Sequence, residues 1–428
     1  MILAILNFFF VCSALIICLY IIRHYIFTLT VLRASKRPRI PPATEGYEPS
    51  VTILIPAHNE EKVIGRLLKK MSELSYPKSK LQVIIIDDAS TDQTGQIADA
   101  AAKDNRIIRV LHRSRLEGGN GKASALNSAL KQATGEVVLC FDADYLPHSE
   151  IVQRLVAKFA DPKVGAVQGR PVVLNEPQNS TTRIVALERI GGYRVDQEAR
   201  ELLGLVPQFG GTVGGFRRSI LESIGGFDES MLTEDTDITF QIYLAGYKVS
   251  YAGDAECYEE AVENWKAYWR QRHRWAKGHM QVAFKYFTQV LLSKNMRLRE
   301  KIDGVLLLNI YFLPLLTIFS FASGLFLILS GEFIVSALWF TIIMSFYSFV
   351  GNYAPFFEIG VGVYLDGRRR VHWLAPLMIF SFLYNVLICG KAFVDILWGK
   401  IAGYKGDWEK TEHNGSGNRL IENSMVPG

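Results

Sequence analysis

The sequence predicts an α/β fold: a mostly parallel sheet with helices on both faces, flanked by transmembrane helices. Two observations lead to this prediction. Between about residues 51 and 292, short apolar runs typical of buried strands alternate with helical patterns, which favours a parallel sheet. The apolar residues, 49% of the 428-residue chain, concentrate at its two ends in runs long enough to cross a bilayer.

The first apolar run predicts a membrane span within residues 1–32. Residues 1–22 are almost wholly apolar, and basic residues follow them, from Arg23 to Arg39. A cleaved signal peptide carries its positive charge before the apolar run, so this segment is expected to remain, with its C-terminal end in the cytoplasm. A proline-rich stretch, residues 33–49, then predicts a stiff linker.

The globular domain is predicted to cover residues 50–262 and to begin with alternating strands and helices. The expected order is strand 51–55, helix 61–74, strand 81–86, helix 94–103, strand 107–111, helix 122–132 and strand 136–141.

Acidic residues follow two of these strands directly. Asp87 and Asp88 come after the second strand, and Asp142 and Asp144 after the fourth. Ligands of such sheets bind beyond the carboxyl ends of the strands. Carboxylates there can hold one hard cation, which in turn holds a diphosphate. The alternative is turn chemistry, because Asp favours turns for local hydrogen-bonding reasons.

A glycine-rich loop, residues 117–121, precedes Lys122. Its spacing is not that of a P-loop, because Leu116 stands where the first glycine is required and Ala123 where Ser or Thr would bind magnesium. Lys122 is predicted to reach a phosphate from this loop, and a solvated surface lysine is the alternative.

A third acidic motif, Leu232–Asp237, precedes a helix predicted over residues 238–245. In the functional interpretation, the carboxylate of Asp235 lies at the start of this helix and accepts a proton from a hydroxyl group. The alternative is that Asp235 only caps the helix.

A run rich in Trp, Tyr, Lys and Arg, residues 263–300, predicts amphipathic helices at the membrane–water boundary. Within it, Gln271, Arg274 and Trp275 form the pattern QxxRW. These side chains can hydrogen-bond, clamp a phosphate and offer a flat face to a sugar. The alternative is an interfacial anchor, because aromatic and basic belts are common beside membrane spans.

Residues 303–400 predict a transmembrane bundle, followed by a tail, residues 401–428. The segments 305–329 and 372–398 each span a bilayer, whereas 333–366 fits either one span with an interfacial helix or two spans. The total is therefore four or five spans.

The net charge excludes one class of protein, and the cysteine spacing indicates the redox state of the thiols. The net charge of +5 is too small for a dedicated nucleic-acid binder. The five cysteines form no CxxC pair and no zinc spacing, so they are expected to be reduced, as in a cytoplasmic domain.

Four motifs occur in a fixed order between the predicted spans: DDASTD (87–92), DAD (142–144), TED (233–235) and QRHRW (271–275). Over about residues 49–284, this set resembles the processive family 2 glycosyltransferases, the cellulose, hyaluronan, chitin-oligosaccharide and poly-β-1,6-N-acetylglucosamine synthases. The resemblance implies a GT-A-like catalytic domain, a UDP-sugar donor, and Mg²⁺ or Mn²⁺ as cofactor.

The resemblance also implies a role for the residues expected at the donor. Asp88 would contact the nucleotide base, and Asp142 and Asp144 would hold the donor and its divalent metal. Gln271 and Arg274 would face the diphosphate.

Further residues are implied in catalysis and acceptor binding. Asp235 would be the catalytic base, with Glu234 beside it as a second catalytic candidate, and Trp275 would lie under the acceptor sugar. The loop 209–212 stands where cellulose synthases have an acceptor-side loop. The remaining substrate-binding candidates are Pro56, Glu60, Lys122, Gly211 and Thr212.

The function expected from these features is that of an inverting, processive enzyme of the plasma membrane and cell envelope. It would polymerise UDP-glucose or UDP-N-acetylglucosamine into a β-linked polysaccharide in the cytoplasm and translocate the product across the bilayer. The growing polysaccharide, the bilayer, and accessory membrane or export subunits are the expected partners.

Two alternatives stay open, a non-processive transferase acting on a lipid carrier and a scaffold that binds nucleotide sugar without turnover. The tail segment Trp408–His413 resembles the gating segment of some relatives, with His413 in place of Arg.

Overall fold

The computed structural model describes residues 2–36, 47–119, 121–331, 350–367, 376 and 378–402. Three sequence predictions fall outside this part of the chain: most of the linker, the greater part of the span predicted between 333 and 350, and the tail with its gating segment.

The helices and strands are the following. The α-helices are α1 (Ile2–Ala34), α2 (Ile64–Ser72), α3 (Thr94–Asp104), α4 (Lys122–Leu130), α5 (Ile151–Val156), α6 (Ser180–Arg189), α7 (Glu198–Leu203), α8 (Arg218–Ser223), α9 (Glu234–Leu244), α10 (Trp265–Leu292), α11 (Leu298–Leu308), α12 (Leu313–Leu329), α13 (Asn352–Leu365) and α14 (Met378–Ala402). The strands are β1 (Val51–Ala57), β2 (Leu81–Asp88), β3 (Ile108–Arg113), β4 (Val137–Cys140), β5 (Leu146–Pro147), β6 (Val164–Val173), β7 (Gly214–Arg217) and β8 (Lys248–Glu259). A π-helix, Ile190–Gln197, joins α6 to α7.

The eight strands of the described residues form one sheet, in the order β3-β2-β1-β4-β7-β6-β8-β5. The pairs β1–β2, β2–β3, β1–β4 and β6–β8 are parallel, whereas β4–β7, β6–β7 and β5–β8 are antiparallel. The prediction of a mostly parallel α/β sheet is thus confirmed, with an antiparallel strand, β7, inserted in its middle.

Glycine is required in β7 because neighbouring strands approach it closely. A Cβ atom on Gly214 would lie 2.2 Å from the carbonyl oxygen of Val167, and one on Gly215 would lie 2.0 Å from that of Val138. Larger residues would therefore push β7 away from both neighbours.

Both faces of the sheet are buried. Ile53 and Val83 pack in one cluster with α2 and α5, whereas Leu54 and Ile84 pack in another with α4, α9 and α10. Successive residues of a strand point to opposite faces, so a strand covered on both sides is apolar throughout. This explains why these strands were recognisable as continuous apolar runs.

Three helices of the described chain are long and apolar enough to cross a membrane: Ile2–Ala34, Ile310–Leu329 and Met378–Gly399. Their residue ranges nearly coincide with those of the predicted N-terminal span and of two of the predicted C-terminal spans. Helix α13 has 14 residues, which at about 1.5 Å per residue is about 21 Å, less than the ~30 Å of a bilayer core. The number of spans and their orientation remain predictions.

One carboxylate joins the globular domain to a candidate membrane helix. Glu188, at the end of α6, accepts hydrogen bonds from Tyr268 Oη at 2.5 Å, from Arg272 Nη2 at 2.5 Å and from Ser381 Oγ at 2.6 Å. Tyr268 and Arg272 lie on α10, and Ser381 lies on α14. Three helices are therefore held at a single point.

We expect Glu188→Gln to lower the stability of the fold by about 3–5 kcal/mol, because it leaves the charge of Arg272 buried without a carboxylate. The side chain of Arg272 is 8% exposed. The measurement is the shift in melting temperature of the purified protein in detergent. Glu256→Gln is the control: Glu256 pairs with Arg170 but is 40% exposed, so its loss should cost no more than about 1 kcal/mol. Equal shifts in the two variants would contradict the expectation.

Candidate active site

A cavity of about 460 Å³ opens at the carboxyl ends of β1, β2 and β4, against α9 and α10. It is lined by thirteen of the residues that the sequence nominated for a site, but not by Asp87, whose carboxylate pairs with His112. These residues are Pro56, Glu60, Asp88, Lys122, Asp142, Asp144, Gly211, Thr212, Glu234, Asp235, Gln271, Arg274 and Trp275. The structure thus brings the candidates together, and their individual roles stay predictions.

Asp88 is held firmly in the cavity wall. Its Oδ1 accepts a hydrogen bond from Arg113 Nη1 at 2.5 Å, and its Oδ2 accepts one from the backbone N–H of Gly119 at 3.1 Å. Its backbone oxygen lies 2.7 Å from His58 Nδ1. These contacts fix the carboxylate at the end of β2, where it is predicted to meet the nucleotide base.

Lys122 forms an ion pair with Asp142, and its Nζ also donates a hydrogen bond to the backbone oxygen of Gly211 at 2.8 Å. The backbone N–H of Asp142 donates to Thr212 Oγ1 at 3.0 Å. Burial opposes the charge of Lys122, but Asp142 and Glu234 outweigh it and raise its pKa. The alternative of a solvated surface lysine is therefore wrong.

Asp142 and Asp144 are the candidate metal ligands. The described residues contain no group of three or more His, Cys, Asp and Glu side chains placed to hold a metal. Two carboxylates at the end of one strand still fit a hard divalent cation, provided that diphosphate oxygens and water supply its other ligands. The ammonium of Lys122 already neutralises part of the charge at Asp142.

Glu234 and Asp235 lie at the start of α9, which begins at Glu234. The helix therefore starts earlier than predicted, and the N-cap residue is Thr233 rather than Asp235. Oδ1 of Asp235 accepts a hydrogen bond from the backbone N–H of Thr236 at 2.6 Å. Asp235 thus lies inside the first turn, where it stabilises the helix end but leaves the cap position to another residue.

Both carboxyl groups hold their protons more tightly than usual. Burial, and then the neighbouring charge of Asp235, raise the pKa of Glu234 to about 7. Burial raises the pKa of Asp235, against the hydrogen bond from Thr236 and the charges of Lys122 and Arg274. Close acidic groups with raised pKa values suit proton transfer near neutral pH.

The raised pKa of Glu234 predicts a pH-dependent rate. We expect kcat/KM to rise as the pH increases through about 7, because the negative charge that Glu234 then gains makes the neighbouring Asp235, the candidate base, a stronger proton acceptor. The folded state binds this proton more tightly than the unfolded state, so stability should fall as the pH rises from about 4.5 to about 7. A rate profile that is flat for about one unit on either side of pH 7 would contradict this assignment.

The QxxRW residues occupy one side of α10. Gln271, Arg274 and Trp275 are spaced so that they share a helix face, and all three line the cavity. The carboxylates of Glu234 and Asp235 favour the charge of Arg274, although burial lowers its pKa. Arg274 is therefore a cation directed at the acidic centre.

The ring of Trp275 lies among cations. The guanidinium carbon of Arg272 is 4.2 Å from the ring centroid, and that of Arg189 is 5.3 Å from it. Arg189 in turn donates to Glu259 Oε1 at 2.5 Å. These contacts fix the orientation of the indole.

Several cavity residues were not predicted from the sequence. They include Arg189, Tyr193, Arg200, Glu259 and His279. Burial lowers the pKa of His279 to about 4, so this imidazole is neutral, and its ring stacks on Tyr311 with a centroid distance of 4.6 Å. None of them belongs to a recognisable motif, and buried polar residues on helices or strand ends carry no local pattern.

The fold, a sheet with a cavity at the carboxyl ends of its parallel strands, is of the GT-A type. The solved structure of the mannosyltransferase PcManGT from Pyrobaculum calidifontis, in complex with GDP-Man and Mn²⁺, covers 94% of this chain and 100% of its own, with a TM-score of 0.61 and 23% identity. This likeness shows a shared fold.

The family model "Glycosyltransferase like family 2" matches residues 49–278. The chain belongs to this family and is a glycosyltransferase.

The curated relatives are named for different products. The chain is 38% identical over 251 residues to the probable glycosyltransferase YdaM of Bacillus subtilis, 58% of this chain and 60% of the relative. It is 36% identical over 274 residues to the beta-monoglucosyldiacylglycerol synthase of Nostoc, a match that covers 63% of this chain and 57% of the relative. It is 30% identical over 246 residues to the poly-beta-1,6-N-acetyl-D-glucosamine synthase of Staphylococcus aureus, a match that covers 57% of this chain and 58% of the relative. The matches thus span less than two thirds of each relative.

Proposed function

We propose that this glycosyltransferase is an inverting, processive enzyme that polymerises a UDP-sugar, UDP-glucose or UDP-N-acetylglucosamine, into a β-linked polysaccharide. One observation carries the proposal. A single cavity contains Asp88 and Asp142 at the sheet, the acidic pair of α9, and Tyr311 at the start of a candidate membrane span. The proposed donor site, the proposed base and the end of the cavity nearest the candidate membrane span are therefore parts of one cavity.

The donor is proposed to bind at the carboxyl ends of the strands. Asp88 is oriented by Arg113 and faces the nucleotide, while Lys122 and Arg274 supply positive charge for the diphosphate. A divalent cation held by Asp142 and Asp144 would neutralise further charge on the leaving group. Cations placed where negative charge develops act most strongly in the transition state, so they accelerate the departure of UDP.

The acidic pair is proposed to activate the acceptor. Asp235 takes the proton from the acceptor hydroxyl, whose oxygen then forms a bond to the anomeric carbon as the bond to the diphosphate breaks. Attack opposite the leaving group inverts the anomeric configuration, which yields a β-linkage from an α-linked donor. The neighbouring Glu234, with its pKa near 7, helps to keep the proton at this site.

The acceptor end of the cavity supports polymer synthesis. Trp275 offers a large ring fixed by Arg272 and Arg189, and an aromatic face is a good platform for a sugar ring. The apolar helices α1, α12 and α14 would line the path by which the product crosses the membrane. The catalytic domain is proposed to face the cytoplasm, where the basic residues after α1 would remain.

A glycolipid product is the second candidate. The identity to the Nostoc glycolipid synthase is higher than that to the polysaccharide synthase, 36% against 30%. Leu307 and Ile310 also line the cavity near a candidate span. An acyl chain of a lipid acceptor could pack against such residues.

The test is to supply purified protein in lipid vesicles with each UDP-sugar, and to measure released UDP, product length and digestion by linkage-specific hydrolases. Processive synthesis predicts long products from the first turnovers, whereas a single sugar on an added diacylglycerol would establish the second candidate. Trp275→Ala is expected to shorten the products while the Kd for UDP is unchanged. UDP release without any glycosylated product would refute both candidates.

A further inference from the structure

Helix α10 meets the start of α9 at a glycine. Gly278 lies one turn after Arg274, on the same face of α10. A Cβ atom on Gly278 would lie 2.7 Å from Oγ1 and 3.0 Å from Cβ of Thr233, and closer still to its Cγ2. Carbon atoms pack without repulsion at about 3.5–4.0 Å. A larger residue at this position therefore fits only if the start of α9 moves away from α10.

The side chain of Thr233 makes this contact without any hydrogen bond. Thr233 is the N-cap residue of α9, but its side chain forms no cap hydrogen bond. Its Oγ1 is buried and has no hydrogen-bond partner among the described residues. Rotation of the side chain would not relieve a clash with residue 278, because the Cβ of Thr233 is itself one of the close atoms. The two helices are thus matched by shape at this point.

A second contact fixes α9 one turn further along. Nζ of Lys285, two turns after Gly278 on α10, lies 2.6 Å from Oδ1 of Asp237, whose side chain is 0% exposed. Beside this ion pair the rings of Phe240 and Tyr286 stack, with a centroid distance of 6.1 Å. Because α9 is held at Asp237, an atom added at Gly278 would tilt its first turn rather than shift the whole helix.

The first turn of α9 carries the acidic pair. Glu234 and Asp235 follow Thr233 directly, and both line the cavity together with Arg274. The positive charge of Arg274 acts on both carboxyl groups. The separation between this cation and the acidic pair therefore depends on how closely Gly278 allows α9 to approach α10.

We propose that Gly278 is a positioning residue. Its missing side chain sets the distance between α10 and the first turn of α9, and so places Asp235 relative to the diphosphate that Arg274 faces. This inference rests on the proposed function, because it assumes that Asp235 takes the proton of the acceptor. A misplacement of about 1 Å at a reacting group can lower a rate about 10²-fold.

The test is Gly278→Ala in purified protein, with kcat followed as released UDP. We expect kcat to fall about 10²-fold while the Kd for UDP stays within about twofold, because Asp88 and Arg274 lie outside α9. Ala is a better helix former than Gly, which offsets part of the cost of overpacking, so the variant is expected to fold. Its melting temperature is measured beside kcat.

A compensating change separates positioning from a general loss of structure. Gly278→Ala combined with Thr233→Ala removes the Oγ1 and Cγ2 atoms that the added methyl group would meet. In this double variant kcat should exceed that of Gly278→Ala by about tenfold or more. Thr233→Ala alone should stay within about threefold of wild type, because the lost hydroxyl makes no hydrogen bond to a described residue.

A second variant enlarges the same contact from the side of α9. Thr233→Ile adds one carbon atom there and should also lower kcat with the Kd for UDP unchanged, so it decides the test if Gly278→Ala does not fold. The control is Gly65→Ala in α2, where the nearest atom to the new Cβ is Ile97 Cγ2 at 3.8 Å. Its kcat should equal that of wild type.

Wild-type kcat in folded Gly278→Ala would overturn the positioning role, and so would a double variant no faster than Gly278→Ala. The proposed function fails in a different way, through wild-type protein that releases no UDP or makes no glycan. The two failures are therefore distinguishable.

Discussion

Asp235→Asn is expected to leave the donor bound and the protein folded while kcat falls about 10²-fold or more. Asn has the shape of Asp and can still accept the hydrogen bond from the N–H of Thr236, so the first turn of α9 should persist. It cannot take a proton from the acceptor. The loss should therefore appear in the chemical step, with the Kd for UDP unchanged.

The matched control is Asp254→Asn, the same chemical change at an exposed position on β8. Its rate and melting temperature should equal those of wild type. The cap hypothesis for Asp235 makes a different prediction, near-normal rate, because Asn is itself a good N-cap. Since Thr233 already occupies the cap position, near-normal polymer synthesis by Asp235→Asn would remove the base assignment and assign proton transfer to Glu234.

Asp144→Asn is expected to abolish turnover without unfolding the protein, because it removes one of the two carboxylates proposed to hold a divalent cation. The side chain of Asp144 is 5% exposed and lies against the cavity. EDTA should have the same effect on wild type, reversed by Mg²⁺ or Mn²⁺. The measurements are released UDP, thermal melting, and the binding of Mn²⁺ followed by its paramagnetic resonance.

Asp99→Asn serves as the control, because Asp99 is 51% exposed and pairs with His112 away from the proposed metal site. It should retain activity and Mn²⁺ binding. Full wild-type activity in EDTA would refute the requirement for a metal, and tight Mn²⁺ binding by Asp144→Asn would move the site elsewhere.

The first half of the sheet could be predicted from the sequence because β1, β2 and β4 each carry a run of mostly apolar residues. The strand expected at 81–86 is found at Leu81–Asp88, and the helix expected at 94–103 is Thr94–Asp104. Strand β7, with the sequence Gly-Gly-Phe-Arg, has no such run. Its place in the sheet depends on distant neighbours, Val138 and Val167.

In the candidate site, too, residues that belong to a local sequence pattern could be predicted, and residues brought together only by the fold could not. Carboxylates after strands and the QxxRW spacing are local patterns, and the structure places them around one cavity. Arg189 and Glu259, in contrast, are 70 positions apart in sequence, and nothing near either residue indicates the other. Arg200 and the π-helix were missed for a related reason, because a π-helix has no established sequence signature.

The carboxylate of Glu188 has a mechanical consequence. Helix α14, which is long enough to cross a bilayer, is bonded through Glu188 to Tyr268 and Arg272, and the guanidinium of Arg272 lies against the ring of Trp275. A membrane that is thinner or thicker than α14 changes the tilt of such a helix. With α14 as a membrane span and Trp275 as the acceptor platform, both as proposed, we expect a change in this tilt to turn the indole, so that the thickness of the surrounding lipid alters acceptor binding.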